Sequence, residues 1–269
     1  MKSRKLSIPY IIWMVIFTMI PLVMIGLTAF TDKSGSFSLE PFANAFQYTN
    51  VFFKSLWIAL ISTAICLVLA YPLAYFIARM KRSSQNTVIM LMMIPMWMNF
   101  LLRIYAWVIL LQKNGPLDTA LSLLGIHGTY IGNTGAVIVG MVYEYLPFMV
   151  LPIYTVMSKI DGGLIEAAQD LGSNKFEVFR KVVFPLSIPG IISGITMVFV
   201  PSVSTFYISQ KLGNGKIMLI GDTIERQMQT LNNYNLGAAL SLVLMVLILV
   251  SMFIMNRFAD NSGEGGLVA

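Results

Sequence analysis

The feature that most limits how this chain can fold is a series of six long apolar runs: Ile8–Phe30, Phe52–Ala78, Val88–Leu111, Ala136–Met157, Leu186–Tyr207 and Leu236–Met255. A helix needs about 20 apolar residues to cross the hydrocarbon core of a bilayer. Each run meets that length, and each is expected to be helical, because only a helix satisfies its own backbone amides inside lipid. Only 11% of the 269 residues are charged. A soluble domain carries about 25%, so this chain has too little charge to wet its own surface. The expected fold is therefore all-α and polytopic, with about six transmembrane helices.

The first run follows Lys2, Arg4 and Lys5. It is longer than the usual apolar core of a signal peptide and no small-x-small cleavage site follows, so it reads as a retained span. The net charge of +6 suggests topology rather than nucleic-acid binding, because the cations sit mostly at the ends of apolar runs. With the N-terminus inside, the cytoplasmic segments carry Lys2, Arg4, Lys5, Arg79, Lys81, Arg82, Lys159, Lys175, Arg180, Lys181 and Arg257. The opposite side carries Lys33, Lys54, Lys113, Lys211, Lys216 and Arg226, with Arg103 inside a span. Eleven against six predicts a multi-pass protein of the cell membrane with both termini cytoplasmic. The expected organisation is a cytoplasmic N-terminus over 1–7, a transmembrane domain over 8–257 and a short polar cytoplasmic tail over 258–269, with Asp260–Gly266 disordered.

Several residue types exclude chemistry. One cysteine, Cys66, allows no intrachain disulfide and no metal site. One histidine, His127, reads as a surface loop residue and has no partners for a zinc-protease helix or a catalytic triad. No Gly-x-x-x-x-Gly-Lys-Ser/Thr phosphate loop occurs, so this chain is not expected to hydrolyse ATP. Prolines fall in most spans, at Pro21, Pro72, Pro95, Pro147, Pro152, Pro189 and Pro201. They kink helices, as is common in transporters and also possible in a static bundle. Nineteen Met and seventeen Phe suit apolar packing.

The loop between the fourth and fifth runs, 158–185, carries the most information. Asp161 can cap a first helix whose Leu164, Ala168 and Leu171 share a face. Gly172 suits the left-handed position that ends it. Asn174 followed by Glu177 has the spacing of a capping box opening a second helix, with Phe176, Phe179 and Val183 as its apolar face. Pro185 then starts the next span. An exposed helical elbow with an apolar face should bury it against the membrane surface or a cytoplasmic partner, and pattern alone does not choose.

The run Glu166-Ala167-Ala168, then Gly172 after three residues, then Val182-Val183-Phe184-Pro185 after nine more, resembles the EAA loop of ABC importer permeases. Val182 and Phe184 stand where that pattern has Ile and Leu. The resemblance implies the type I (MetI-like) permease fold. It also implies that Glu166, Ala167, Ala168, Leu171, Gly172 and Pro185 form the ATPase-coupling segment. Further stretches are similar to polyamine (spermidine/putrescine) importer permeases, closest to the first of their two permease subunits, the B type. They are Pro95-Met-Trp97-Met-Asn99-Phe-Leu-Leu-Arg103-Ile-Tyr105, Tyr143-Glu144-Tyr145-Leu146-Pro147-Phe148-Met149, Phe206-Tyr207 and Leu219-Ile220-Gly221. The partners so implied are a second permease, two ATPase subunits that would hold ATP and magnesium, and an extracytoplasmic substrate-binding protein. No cofactor or metal is expected in this chain.

Charge in hydrocarbon is costly and is usually paired or functional. Arg103 reads either as snorkelling to the outer interface, or as a structural ion pair or a contact at the outer gate. Glu144, near the middle of its span, could meet a passing ammonium or pair with Arg103. Trp97, Asn99, Tyr105, Tyr143 and Phe206, with Arg103 and Glu144, are the candidates for a substrate path, since aromatic faces bind cations but also pack or anchor at interfaces. The segment Ile217–Leu231 reads as a helix lying at the interface, with Asp222 and Glu225 either as cargo contacts or as solvated charges. A secondary transporter would be expected to show inverted repeats, and a membrane enzyme a cluster of acids or metal ligands. Neither is evident, and the matching loop speaks against a purely structural subunit.

Overall fold

The computed structural model describes the chain except residues 1–7, 33, 124, 126, 127, 129 and 265–269. The N-terminal cations and His127 thus lie outside the described residues. The described residues are helical almost throughout, as the lipid argument requires: α1 (Ile8–Met14), α2 (Ile20–Ala29), α3 (Glu40–Ala45), α4 (Thr49–Ala78), α5 (Arg82–Met93), α6 (Phe100–Leu111), α7 (Pro116–Ser122), α8 (Thr134–Met157), α9 (Gly162–Asp170), α10 (Lys175–Val178), α11 (Phe184–Ser204), α12 (Tyr207–Leu212), α13 (Ile220–Glu225) and α14 (Tyr234–Glu264). Five segments are long and apolar enough to cross a membrane: Ile12–Ala29, Glu40–Ala78, Thr134–Met157, Lys175–Ser204 and Tyr234–Met255.

The third apolar run, which carries Pro95, is broken rather than merely kinked. It is two helical pieces, Arg82–Trp97 and Phe100–Ser122, bent by 88°. Pro95 enters a short 3-10 turn, Ile94–Trp97, and Met98 and Asn99 are extended. The Asn99 carboxamide then accepts the Leu101 N–H at 2.8 Å and opens α6. A proline followed by a residue able to cap makes a break cheaper here than a continuous helix.

The centre is a three-helix packing of α4, α8 and α11. One face of α4 is small: Ser55, Ala59, Ser62, Thr63, Cys66, Ala70 and Ala74 are all buried. Small faces let helices approach closely where lipid supplies no hydrophobic drive between them. On α11, a Cβ at Gly190 would lie 2.9 Å from the Pro152 carbonyl oxygen, and one at Gly194 would lie 2.7 Å from Met149 Sδ. These two glycines, four apart, seat α11 directly on α8. Polar side chains fasten the bundle without exposing charge: Tyr71 Oη and Ser187 Oγ are 3.0 Å apart, and Tyr154 Oη donates to Gln85 Oε1 at 3.1 Å. Gln85 in turn donates to the carbonyls of Ala78 and Met80, tying the end of α4 to α5 and α8.

α2 and α14 flank this centre. They meet at the buried Ala29, Ala238 and Ala239. Asn235 Nδ2 donates to the Thr31 carbonyl at 2.8 Å, tying the start of α14 to the chain just after α2. The tail expected to be disordered from Asp260 continues α14 and is helical as far as Glu264. The segment expected to lie at the interface is also different. Leu219, Ile220, Asp222 and Thr223 are buried inside the protein, and Ile220 N–H donates to Ser55 Oγ on α4 at 2.8 Å. Gly221 passes so close to the end of α11 that a Cβ would lie 2.5 Å from the Thr205 carbonyl oxygen.

Replacing Gly190 by valine should overpack the α8–α11 contact at a cost of about 1–3 kcal/mol. Thermal unfolding of the detergent-purified protein should show a clear fall in midpoint for Gly190→Val. The same substitution at Gly26, which has open space around it, should change the midpoint far less.

Candidate functional site

The elbow forms as its sequence dictates. Asp161 Oδ1 accepts the Gly163 N–H at 3.0 Å and starts α9. Gly172 has φ +86°, and the bonds Gly172 N to Gln169 O and Ser173 N to Ala168 O close a left-handed C-terminal cap there. Both halves of the capping box are present, Glu177 N to Asn174 Oδ1 at 2.9 Å and Asn174 N to Glu177 Oε2 at 3.0 Å. From Lys175 the chain runs as one helical rod to Ser204, through a π-helical stretch at Phe179–Val183 just before Pro185.

The elbow's apolar residues do not divide as the spacing predicts. Ile165, Ala168, Phe179 and Val182 pack against the bundle, and Val178 and Val183 are buried. Leu164, Leu171 and Phe176 turn outward, with Leu171 88% exposed. Glu166, Ala167, Gly172 and Pro185 are exposed as well. The free stripe is thus Leu164, Ala167 and Leu171, at i, i+3 and i+7, with Phe176 across the turn. Leu164 and Phe176 were legible only as members of apolar faces, and the face assigned to Leu164, Ala168 and Leu171 is corrected: Ala168 belongs to the packed side.

The seven candidate path residues fall into separate settings. Arg103 and Glu144 are both buried, and Arg103 Nη2 meets Glu144 Oε1 at 2.5 Å across α6 and α8. Arg103 Nη1 lies 2.8 Å from Met96 Sδ. Arg103 Nε and Glu144 Oε2 have no hydrogen-bond partner. The arginine is therefore not snorkelling. The pair holds α6, the second half of the broken span, onto α8. Asn99 caps α6. Tyr105 lies edge-on to Tyr207, and Lys211 Nζ sits over both rings, 5.4 and 5.5 Å from their centroids. Tyr143 packs on Trp107 and lines an apolar groove with Ile65 and Val139. Trp97 is 81% exposed. Phe206 is exposed at the entry to α12. Lys211 and Tyr207 were missed as members of this set; a lysine one turn from Tyr207 was the available signal.

On the side of the bundle opposite the elbow, Asp222 is buried. Its Oδ2 accepts the Leu219 N–H at 2.7 Å, while Oδ1 has no hydrogen-bond partner. An unpaired buried acceptor of this kind costs about 1–3 kcal/mol. Burial pushes the Asp222 carboxyl up to about 6, a shift that the Leu219 amide and the neighbouring Ser209 hydroxyl oppose and nearby Glu225 reinforces; the Ser209 hydroxyl itself donates to the Phe206 carbonyl at 2.9 Å. Among the described residues no three His, Cys, Asp or Glu side chains converge as metal ligands.

The family described as binding-protein-dependent transport system inner membrane component matches residues 3–261. The chain is 35% identical over 268 residues to a spermidine/putrescine transport system permease protein of Haemophilus influenzae, covering 95% of this chain and 94% of that one. It is 38% identical over 245 residues to the protein of the same description from Escherichia coli, covering 87% and 89%. Its fold superposes on a chain of a bacterial ABC transporter involved in the import of the acidic polysaccharide alginate, with a TM-score of 0.78, 18% identity and coverage of 96% and 95%. A second match is to the MetNI methionine ABC transporter in an inward-facing conformation, with a TM-score of 0.61, 17% identity and coverage of 79% and 94%. The fold is thus that of type I importer permeases, as the elbow pattern implied.

Two predictions follow from the buried charges. Removing one partner of a buried pair costs about 3–5 kcal/mol, whereas replacing both by apolar groups is far milder. Arg103→Met and Glu144→Leu should each lower the unfolding midpoint sharply, and the two combined should recover most of the loss. Additive losses in the double variant would contradict the pairing. For Asp222, the folded-state value of about 6 lies above the ordinary 3.8, so the folded chain holds this proton more tightly than the unfolded chain. Stability should therefore rise as pH falls from 7 through 6 towards 4, and the gain should level off below that. Melting curves across this range should lose that increment in Asp222→Asn.

Proposed function

Because this chain belongs to the family of binding-protein-dependent transport system inner membrane components, we propose that it carries polyamines across the membrane, driven through its elbow by a separate ATPase. The chain is a multi-pass inner-membrane permease of an ABC importer and is not itself an enzyme. Polyamine cargo is supported by identities of 35–38% over most of the chain with permeases described for spermidine and putrescine.

The observation that carries the mechanical reading is the exposed stripe Leu164, Ala167 and Leu171 with Phe176, at one end of a helical rod that continues to Ser204. An apolar surface on an otherwise well-capped cytoplasmic elbow stays exposed only if something covers it. The occupant in this reading is a cleft on the ATPase. Two such ATPases drawn together by ATP would move this elbow and that of a second permease. Because Ile165, Ala168, Phe179 and Val182 are packed into the bundle, displacement of the elbow passes into α4, α8 and α11 rather than being absorbed by a loose loop. The spans then rock between inward- and outward-open forms, a two-state switch biased by nucleotide. An extracytoplasmic binding protein delivers cargo to the outward-open form. The distribution of Lys and Arg supports a cytoplasmic position for both termini and residues 158–185.

Leu171→Glu puts a carboxylate into the covered stripe without disturbing packing inside the bundle. It should reduce ATP-dependent uptake of labelled spermidine and putrescine by about tenfold or more, on the scale of a lost interface anchor, while the unfolding midpoint barely moves. Cys66 is buried and is the only native cysteine, so Ala167→Cys adds one accessible thiol. A crosslinker at that position should capture the ATPase. Uptake that survives Leu171→Glu, with no capture from residue 167, would exclude the coupling role.

A further inference from the structure

We propose that Asp222 and Glu225, with Gln210, form a subsite for one ammonium end of the cargo, on the side of the bundle opposite the elbow. The inference rests on the polyamine reading and gives that cargo its first named contact.

These residues lie on a cavity of about 350 Å³, lined by Gln210, Met218, Asp222, Glu225, Arg226 and Thr230. Asp222 and Glu225 are three apart on α13, so they share a face. Asp222 is 5% exposed, and its Oδ1 is buried without a hydrogen-bond partner. Its other oxygen is already committed to the Leu219 N–H. Glu225 is held in place by Gln210, whose Nε2 donates to Oε2 at 3.1 Å. The local cations do not neutralise the pair. Lys211 Nζ sits over the Tyr105 and Tyr207 rings, and Arg226 Nη1 is directed to Met218 Sδ at 3.9 Å. Among the described residues the only ion pairs are Arg103–Glu144 and Lys181–Glu177, so neither carboxylate here has a cationic partner.

Two acidic groups on one helical face, one of them buried with an idle oxygen, are a costly arrangement that a cation relieves. Carboxylates accept strong, short hydrogen bonds from charged donors. An ammonium brings three N–H donors on a compact point charge, enough to serve more than one acceptor on the same cavity wall without the fixed planar fork of a guanidinium. Burial already pushes the Asp222 proton affinity upward, so a bound ammonium would return the group to its charged form. Glu225, Lys211, Lys216 and Arg226 are the other charged groups on this outer segment. Lys211 on the two tyrosine rings also shows that an ammonium is accommodated one short helix away.

The test uses the complete transporter in nanodiscs without the binding protein, titrated with labelled spermidine. The wild-type complex should bind it, and Asp222→Asn and Glu225→Gln should each weaken that binding about tenfold. Asn at position 222 keeps an acceptor for the Leu219 N–H. If Asp222→Asn nevertheless fails to assemble, Glu225→Gln, at a partly exposed position that caps no backbone, carries the test alone. Unchanged affinity in the variants, or no spermidine binding to the wild-type complex, overturns the subsite. If the variants weaken docking of the binding protein and leave amine affinity intact, the ammonium recognised is a lysine of that protein, and the cargo subsite is likewise overturned. Failure of the polyamine reading is separate: the wild-type complex with its binding protein would then import neither spermidine nor putrescine.

Discussion

Close contact between small side chains in the middle of the bundle is what the remaining structure depends on. Inside lipid the hydrophobic effect does not press helices together, so association rests on dispersion and a few polar contacts. Ser55, Ala59, Ser62, Cys66, Ala70 and Ala74 on α4, and Gly190 and Gly194 on α11, bring three backbones within reach of one another. The polar side chains that remain are spent internally, as in Tyr71 with Ser187 and Tyr154 with Gln85. The result is a centre able to act as a solid body, which any transmission of motion from one side of the membrane to the other requires.

Against this body the third apolar run is the part built differently. It breaks at Met98–Asn99 and turns by 88°, and its second half is fastened by the buried Arg103–Glu144 pair. A buried pair is weak evidence for stability, because desolvating both charges offsets much of their attraction. Its value here is in position: a charged pair has one acceptable partner arrangement, whereas an apolar contact slides. Tyr105, Tyr207 and Lys211 then link the same helix to α12, which leads to the acidic cavity lined by Asp222 and Glu225. The broken span is thus fastened to the bundle centre on one side and to α12 on the other, beside the direct contact of Ile220 with Ser55.

Much of this was legible in the sequence because lipid leaves so few options. The apolar runs located five spans, three of them to within about four residues at both ends, while two spans begin well before their runs, at Glu40 and Lys175; the elbow's Asp161, Gly172, Asn174 and Glu177 act in the structure as their local chemistry dictates. What escaped were matters of relation between segments. Apolar length alone does not register that Pro95 and a capping Asn99 cut a span in two. The Ile217–Leu231 pattern mixes apolar and charged residues as an interfacial helix does, yet Gly221 and Ile220 draw it into the protein against α4 and α11. On the elbow, periodicity identified apolar residues and did not say which of them face inward, since Leu164 and Ile165 are equally apolar and only the docking angle of α9 separates them. The small pair Gly190 and Gly194 was visible in the sequence and marks the tightest helix contact.

The account turns on motion entering at the elbow, and the most direct measurement is a distance. Spin labels at Leu171 and at the corresponding elbow of the second permease, in the complete transporter, report how far apart the two elbows stand. The account predicts that a non-hydrolysable ATP analogue shortens this distance while labels at Leu171 and Ser204 within this chain keep theirs. An elbow-to-elbow distance indifferent to nucleotide, in a transporter whose uptake still requires ATP, would contradict it.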